Sequence, residues 1–328
     1  MTHSTKSQGY KALGIASLLL LASSPLHASS WPDKPITLVV PWGAGGGTDA
    51  TARMISTLLE ESLGVPVPVV NRTGGSGVIG HSAIANATPD GYTIGIATLE
   101  IGGMHYQGLT DITYQDYSPI GLYNADPVAI FVSSRSGYDS IDDLLKAIRS
   151  SGHREFKASG SAQGGVNHIA EAGMLLASDI PADKVAWVPS EGAAPGLQDL
   201  AAGGVDFAAA SMPEARALMD AGLIKPLVIL NTERSSNAPD LPTFEEATGN
   251  EWSFGSWRGL VGPADVDEEI IDTLQEHMSA IVNDPTYLEF MNNRGYATLW
   301  LEGDEFMDFM QSSDQRIGET LKSLGIVE

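Results

Sequence analysis

Nine consecutive residues, Pro41-Trp42-Gly43-Ala44-Gly45-Gly46-Gly47-Thr48-Asp49, combine residue types and spacing suited to holding an anion. The stretch Ile36 to Val40 before them is short and apolar, the composition of a buried strand. After them, Met54, Ile55, Leu58, Leu59 and Leu63 recur at helical spacing, and Gly64 ends the pattern. A glycine-rich loop between strand and helix lets backbone N–H groups come close to a ligand. The start of the helix adds unpaired donors and a partial positive charge. Thr48 or Asp49 is the expected N-cap. A permissive turn is the plainer alternative, but four glycines in five positions beside a tryptophan exceed what a turn needs.

A second loop has the same design. Ser159-Gly160-Ser161-Ala162-Gln163-Gly164-Gly165 continues the short segment that starts at Phe156 and precedes a helix carrying Asn167 and His168. Ser161 and Gln163 bring side-chain hydrogen bonds to an anion, and the helix start brings its dipole. Two such loops predict a clamp closing on an anion from both sides.

Other chemistries find little support. Thr48 stands where a dinucleotide fingerprint needs its third glycine, and no Gly-Lys-Ser/Thr ending marks a P-loop. There is no Gly-x-Ser-x-Gly elbow for a hydrolase. The seven histidines are scattered without ligand spacing and there is no cysteine, so no metal site, thiolate nucleophile, disulfide or cofactor is expected. His168 reads as a hydrogen-bonding residue of its helix or of the lobe contact. Arg53, Arg72 and Arg258 suit structural carboxylates as well as a ligand.

The elements that position both loops alternate strand and helix. Three strands and two helices between Ile36 and Ala97 form one unit with a parallel core, and the pattern restarts after Asp126-Pro127 with Val128 to Val132. Residues 231–242 are polar and Pro-containing, a crossing segment, and the remainder reads as mainly helical. The expected fold is α/β: a two-lobed clamp, each lobe a mostly parallel sheet flanked by helices. Residues 29–127 with 236–328 form lobe 1, and 128–235 form lobe 2. Ligands in such folds sit in the cleft between lobes.

Residues 1–28 differ from the rest: Lys6 and Lys11, an apolar run from Ala12 to Ala22, then Leu26-His27-Ala28. This is the pattern of a secretory signal peptide cleaved near Ala28, too short to span a bilayer, which takes about 20 residues. Export to the periplasm is expected. The formal charge is −23, or −25 without Lys6 and Lys11, which excludes nucleic acid as a partner. An anion site in such a field must draw its positive potential from backbone dipoles, as both loops do.

Several stretches together carry a resemblance. Trp31-Pro32-Asp33-Lys34-Pro35-Ile36, the run from Val39 to Asp49, Val70-Asn71-Arg72-Thr73-Gly74-Gly75 and Thr88-Pro89-Asp90-Gly91-Tyr92 closely resemble substrate-binding proteins of tripartite tricarboxylate transporters, the Bug/TctC family. Gly160 to His168, Glu191 to Pro195, Gly203 to Asp206 and Ser256 to Gly259 follow in the family's order. The resemblance implies a monomeric, non-enzymatic periplasmic protein that closes over a small organic carboxylate and delivers it to integral-membrane permease subunits. It nominates Trp42, Ala44, Gly46, Gly47 and Thr48, with Asp49 capping. It also nominates Thr98 after the third strand, Ser161, Ala162, Gln163, Gly164 and Asn167 in the second loop, and Asp206 on the second-lobe wall.

Ser190 and Glu191 depart from the family's usual aromatic and small or basic residues. Glu191 lines the cleft and favours a ligand with an amino group, or else it points to solvent, the ordinary place for a carboxylate. A ligand sensor feeding a membrane kinase is the alternative within the binding class, and a periplasmic enzyme acting on a carboxylate is a weaker one.

Overall fold

The structure, a computed structural model, describes residues 1–5, 31–235 and 237–327. Apart from residues 1–5, the expected leader and its exit at Ala28 lie outside the described residues. Residues 32–328 form one unit, to which all that follows refers.

β1 (Thr37–Val40) leads into α1 (Gly47–Leu63), which buries Ile55, Leu58 and Leu59 and ends on Gly64 in the left-handed conformation. β2 (Val69–Asn71), α2 (Val78–Ala85) and β3 (Thr93–Thr98) complete the parallel order β2-β1-β3. β4 (Tyr117–Ser133) is a 17-residue strand, although only its end from Val128 is legible as a strand in sequence.

In the second half, α3 (Ile141–Ser150), β5 (Lys157–Ser159), α4 (Val166–Ala177), β6 (Ala186–Val188) and α5 (Ala193–Ala202) follow one another. β7 (Phe207–Ser211), α6 (Met212–Asp220), β8 (Ile224–Leu230) and α7 (Phe244–Thr248) come next. The chain finishes with β9 (Gly255–Pro263), α8 (Glu268–Val282), α9 (Pro285–Arg294), β10 (Thr298–Glu302) and α10 (Gly303–Ser323).

Two sheets share β4. Its first part, through Pro127, lies antiparallel between β9 and β10, and β9 pairs antiparallel with β3. From Val128 it lies antiparallel between β7 and β8, while β7, β5 and β6 run parallel. Each half therefore keeps the expected parallel core, and the strands at the crossing add antiparallel pairs. Pro127 has no N–H to give a ladder. It sits where the ladder changes partner, and the next amide, Val128 N, donates to Phe254 O at 3.0 Å.

The stretch after Pro242, mainly helical as expected, also contains a central strand, β9, that its sequence pattern does not announce. Gly255, Gly259 and Gly262 interrupt its apolar pattern. Gly259 is needed there: a Cβ would lie 2.1 Å from the Phe306 ring of α10, which packs directly on the strand. Residues 237–254 pack on the β8 side. Ile229 N donates to Pro242 O at 3.0 Å, and Trp252 Nε1 donates to Ala170 O of α4 at 3.0 Å.

Candidate binding cleft

The loops after β1, β3, β5, β6 and β7 lie at the carboxyl ends of those strands, where open α/β sheets place ligands. In the first loop Trp42 is buried, and its indole N–H donates to Thr98 Oγ1 at 3.2 Å. The N-cap of α1 is Gly46, not Thr48 or Asp49, and no side chain caps it. Asp49 lies in the first turn and braces the loop from behind: it accepts from Gly45 N at 2.9 Å, Asn71 Nδ2 at 2.9 Å and Arg53 Nη2 at 2.8 Å. Burial pushes its carboxyl up, but the Arg53, Gly45 and Asn71 hydrogen bonds outweigh burial and leave it below the ordinary range.

Thr98 joins this loop to two further groups. Its hydroxyl donates to Glu100 Oε2 at 2.6 Å and stands 3.2 Å from His81 Nε2, while His81 Nδ1 contacts Gly77 O at 2.9 Å. Burial lowers the His81 pKa from 6.5 to about 4. As pH falls, the unfolded chain takes up this proton before the folded one. Stability is therefore complete above pH 6.5 and falls as pH drops toward 4. His81→Gln should flatten the stability–pH curve in that window by up to ~3 kcal/mol in urea unfolding. An unchanged slope would mean that His81 is not held neutral.

In the second loop, Asn167 Nδ2 donates to Gly160 O at 3.0 Å and Asn167 N donates to Ser161 Oγ at 3.3 Å. Gly164 N donates to His168 Nδ1 at 3.0 Å, and burial holds that ring neutral with a pKa of about 4. His168 thus shapes the loop.

The loops meet over a cavity of about 540 Å³, open mouth included. Trp42, Gly46, Gly47 and Thr48 line it from one side, with Thr98; Ser161 and Asn167 line it from the other. Ala44, Asp49, Ala162, Gln163 and Gly164 belong to the loops but do not line it. Asp206 is elsewhere: its carboxylate accepts from Lys157 N at 2.7 Å at the start of β5, the end away from the loop. Gly203 to Asp206 forms the turn into β7, a local reason for that motif.

Charged residues are prominent in the cleft: Glu191 in one of its two expected places, and Arg258, Glu100 and Glu214 with no local sequence signal for it. Arg258, only 3% exposed, lines the cavity from β9. Its guanidinium donates to Asp126 Oδ2 at 2.9 Å, Thr48 Oγ1 at 3.1 Å, Glu214 Oε1 at 3.3 Å and, closely, Asn124 Oδ1. Glu100, Glu191 and Glu214 also line the cavity. Glu191 is both exposed and at the cavity, so solvent and cleft are not exclusive alternatives for it.

Contacts tie the two sides together. Gly43 N donates to Glu191 O at 3.1 Å. Gly47 N, at the start of α1, donates to Glu214 Oε1 at 3.3 Å. Val166 N, at the start of α4, donates to Glu100 Oε1 at 3.2 Å. The start of α5, at Ala193 and Ala194, also faces the cavity and has no side-chain cap. Such an arrangement can hold and enclose a small polar molecule. Among the described residues no cluster suited to a metal ion occurs, and no helix is long and apolar enough to cross a membrane.

Known proteins align with this geometry. The family model described as tripartite tricarboxylate transporter family receptor (TctC) matches residues 51–326. Protein BugT of Bordetella pertussis is 27% identical over 308 residues, 92% of this chain and 93% of its own length. The structure of the periplasmic binding protein BugD superposes with a TM-score of 0.84 at 24% identity, covering 90% of this chain and 99% of that one. Rpa4515 of R. palustris, solved with adipate, has a TM-score of 0.84 at 28% identity, covering 90% and 98%. The fold is that of the two-lobed periplasmic binding proteins.

Proposed function

We propose, because the chain belongs to the tripartite tricarboxylate transporter receptor family, that it captures a small organic carboxylate in this cleft. It does so in the periplasm, as a monomer and without catalysis, and delivers the ligand to integral-membrane permease subunits. The carrying observation is that two strand–loop–helix units from opposite halves meet over one cavity with helix starts facing it. Adipate in Rpa4515 supports the ligand class. Of the expected residues, Trp42, Gly46, Gly47, Thr48, Thr98, Ser161 and Asn167 form the binding surface. Ala44, Asp49, Ala162, Gln163 and Gly164 keep the two loops in shape.

The lobes divide as 29–127 with 236–328, and 128–235, except that residues 237–254 move with the second lobe. The switch of β4 at Pro127/Val128 and the bonds of Pro242 and Trp252 to the second half support this division.

The test is a thermal-shift screen of carboxylates at millimolar concentration. A ligand that binds only the folded state at 100 times its Kd adds about 2.7 kcal/mol, a readily seen rise in Tm. No response across mono-, di- and tricarboxylates, aromatic acids and amino acids would reject the proposal.

A further inference from the structure

We infer that the ligand carries a positively charged nitrogen as well as a carboxylate, with Glu191 as the counter-ion of that nitrogen. The inference rests on the solute-binding reading above and narrows it. The cleft is a site by its fold and its cavity, independently of the glutamates; they bear on what it accepts.

The first observation is charge. Glu100, Glu191 and Glu214 line the cavity against a single arginine, Arg258. That arginine is already matched, by Asp126 at 2.9 Å and Glu214 at 3.3 Å, so it offers no surplus positive charge to an incoming anion. A dicarboxylate would bring two more negative charges into a partly desolvated space that is negative already, where like charges repel far more than in water.

The second observation concerns the anion seats. Three helix starts face the cavity. The protein's own carboxylates occupy two of them, Glu214 on Gly47 N of α1 and Glu100 on Val166 N of α4. The start of α5 at Ala193 and Ala194 remains, without a side-chain cap. It seats one carboxylate, and the Thr48 hydroxyl, which accepts from Arg258 Nε, still has its own proton to donate. The α5 start is thus the one of the three, among the described residues, with no carboxylate of the protein on its backbone donors.

The third observation is Glu191 itself. Among the described residues its carboxylate has no hydrogen-bond or ion-pair partner, while its backbone oxygen is fixed by Gly43 N at 3.1 Å. It immediately precedes Gly192, the N-cap of α5. An acid beside an open carboxylate seat selects a zwitterion: anion on the helix start, ammonium or guanidinium on the glutamate. Glu100 and Glu214, both engaged, exclude a second anionic end.

The experiment is calorimetric titration of the full chain with three matched series of three to six carbons. These are α- and ω-amino acids, dicarboxylates including adipate, and nitrogen-free monocarboxylates. At least one amino acid should bind ten-fold or more tightly than both its dicarboxylate and its monocarboxylate counterpart. Glu191→Gln, an exposed change that leaves the fold intact, should cut that ratio about ten-fold. Tighter binding of dicarboxylates, or a ratio untouched by Glu191→Gln, would overturn the inference while leaving carboxylate capture standing. Binding by none of the three series would overturn the inference, and carboxylate capture falls with it if tricarboxylates and aromatic acids also give no response.

Discussion

Arg258→Met should cost about 3–5 kcal/mol of folding free energy, the range for removing one partner of a buried ion pair. The guanidinium is 3% exposed and ties together Thr48 of α1, Asn124 and Asp126 of β4, and Glu214 of α6. Its removal leaves Asp126, itself 3% exposed, with Ala297 N at 2.9 Å and the Asn124 side chain as partners. Burial already raises the Asp126 pKa, and Arg258 is the main influence holding it down. Without Arg258 the folded-state pKa rises further above the unfolded value. The folded chain then holds a proton that the unfolded chain releases, so the variant loses stability as pH rises through that window. The deficit should be larger at pH 8 than at pH 5 by urea unfolding, and Asp126→Asn in the same chain should restore part of it. A loss below about 1 kcal/mol at both pH values would mean that the buried pair is not what holds this site. Ligand binding should be lost with the arginine, because Thr48 and Glu214 lose their common anchor.

Gly47→Ala should weaken ligand binding by about 30-fold, close to 2 kcal/mol, with little change in the stability of the free protein. A Cβ at Gly47 would lie 2.7 Å from Arg258 Nη2 and 2.9 Å from Glu214 Oε1. Asp126, Asn124 and Thr48 hold the arginine through Nη1 and Nε, whereas Nη2, the atom in the way, is bonded to Glu214, so that end of the guanidinium can yield once Glu214 withdraws. Glu214 comes from the other half of the molecule, so relief comes from parting the two sides. In the parted form the substitution is harmless, and removing a glycine from a helix start gains up to about 1 kcal/mol through the unfolded chain. Calorimetric titration and thermal unfolding together check this. Unchanged affinity would show that closure does not require Gly47 to approach Glu214.

The parts of this architecture legible in sequence are those whose cause is local. The Trp42 to Asp49 loop is visible because strand, glycines and helix lie within one short stretch, and the same holds for Gly160 to Asn167. Thr48 and Asp49 have the residue types of an N-cap, yet the cap is Gly46, and Asp49 bonds the Gly45 amide from inside the first turn. What stayed hidden depends on residues far apart in the chain. Arg258 meets Thr48, Asn124 and Asp126 across separations of 210, 134 and 132 residues. Its strand is broken in pattern by Gly255, Gly259 and Gly262, of which Gly259 admits Phe306.

Glu100 stands two residues from Thr98, yet its meaning comes from Val166, 66 residues on. The first part of β4 was masked by Pro127, which reads as a stop and is in fact the point where one strand passes between sheets. Asp206 came in with its motif, and the structure gives that motif a turn's work at the opposite end of β5.

The most direct measurement is a crystal structure of the protein purified from its native periplasm, with whatever ligand it retains. The expected result is a small carboxylate between Trp42 and Asn167, one carboxylate oxygen within hydrogen-bond distance of the α5 start or the Thr48 hydroxyl, and both loops closed over it. A ligand without a carboxylate, or one seated outside the cavity between the two loops, would contradict it.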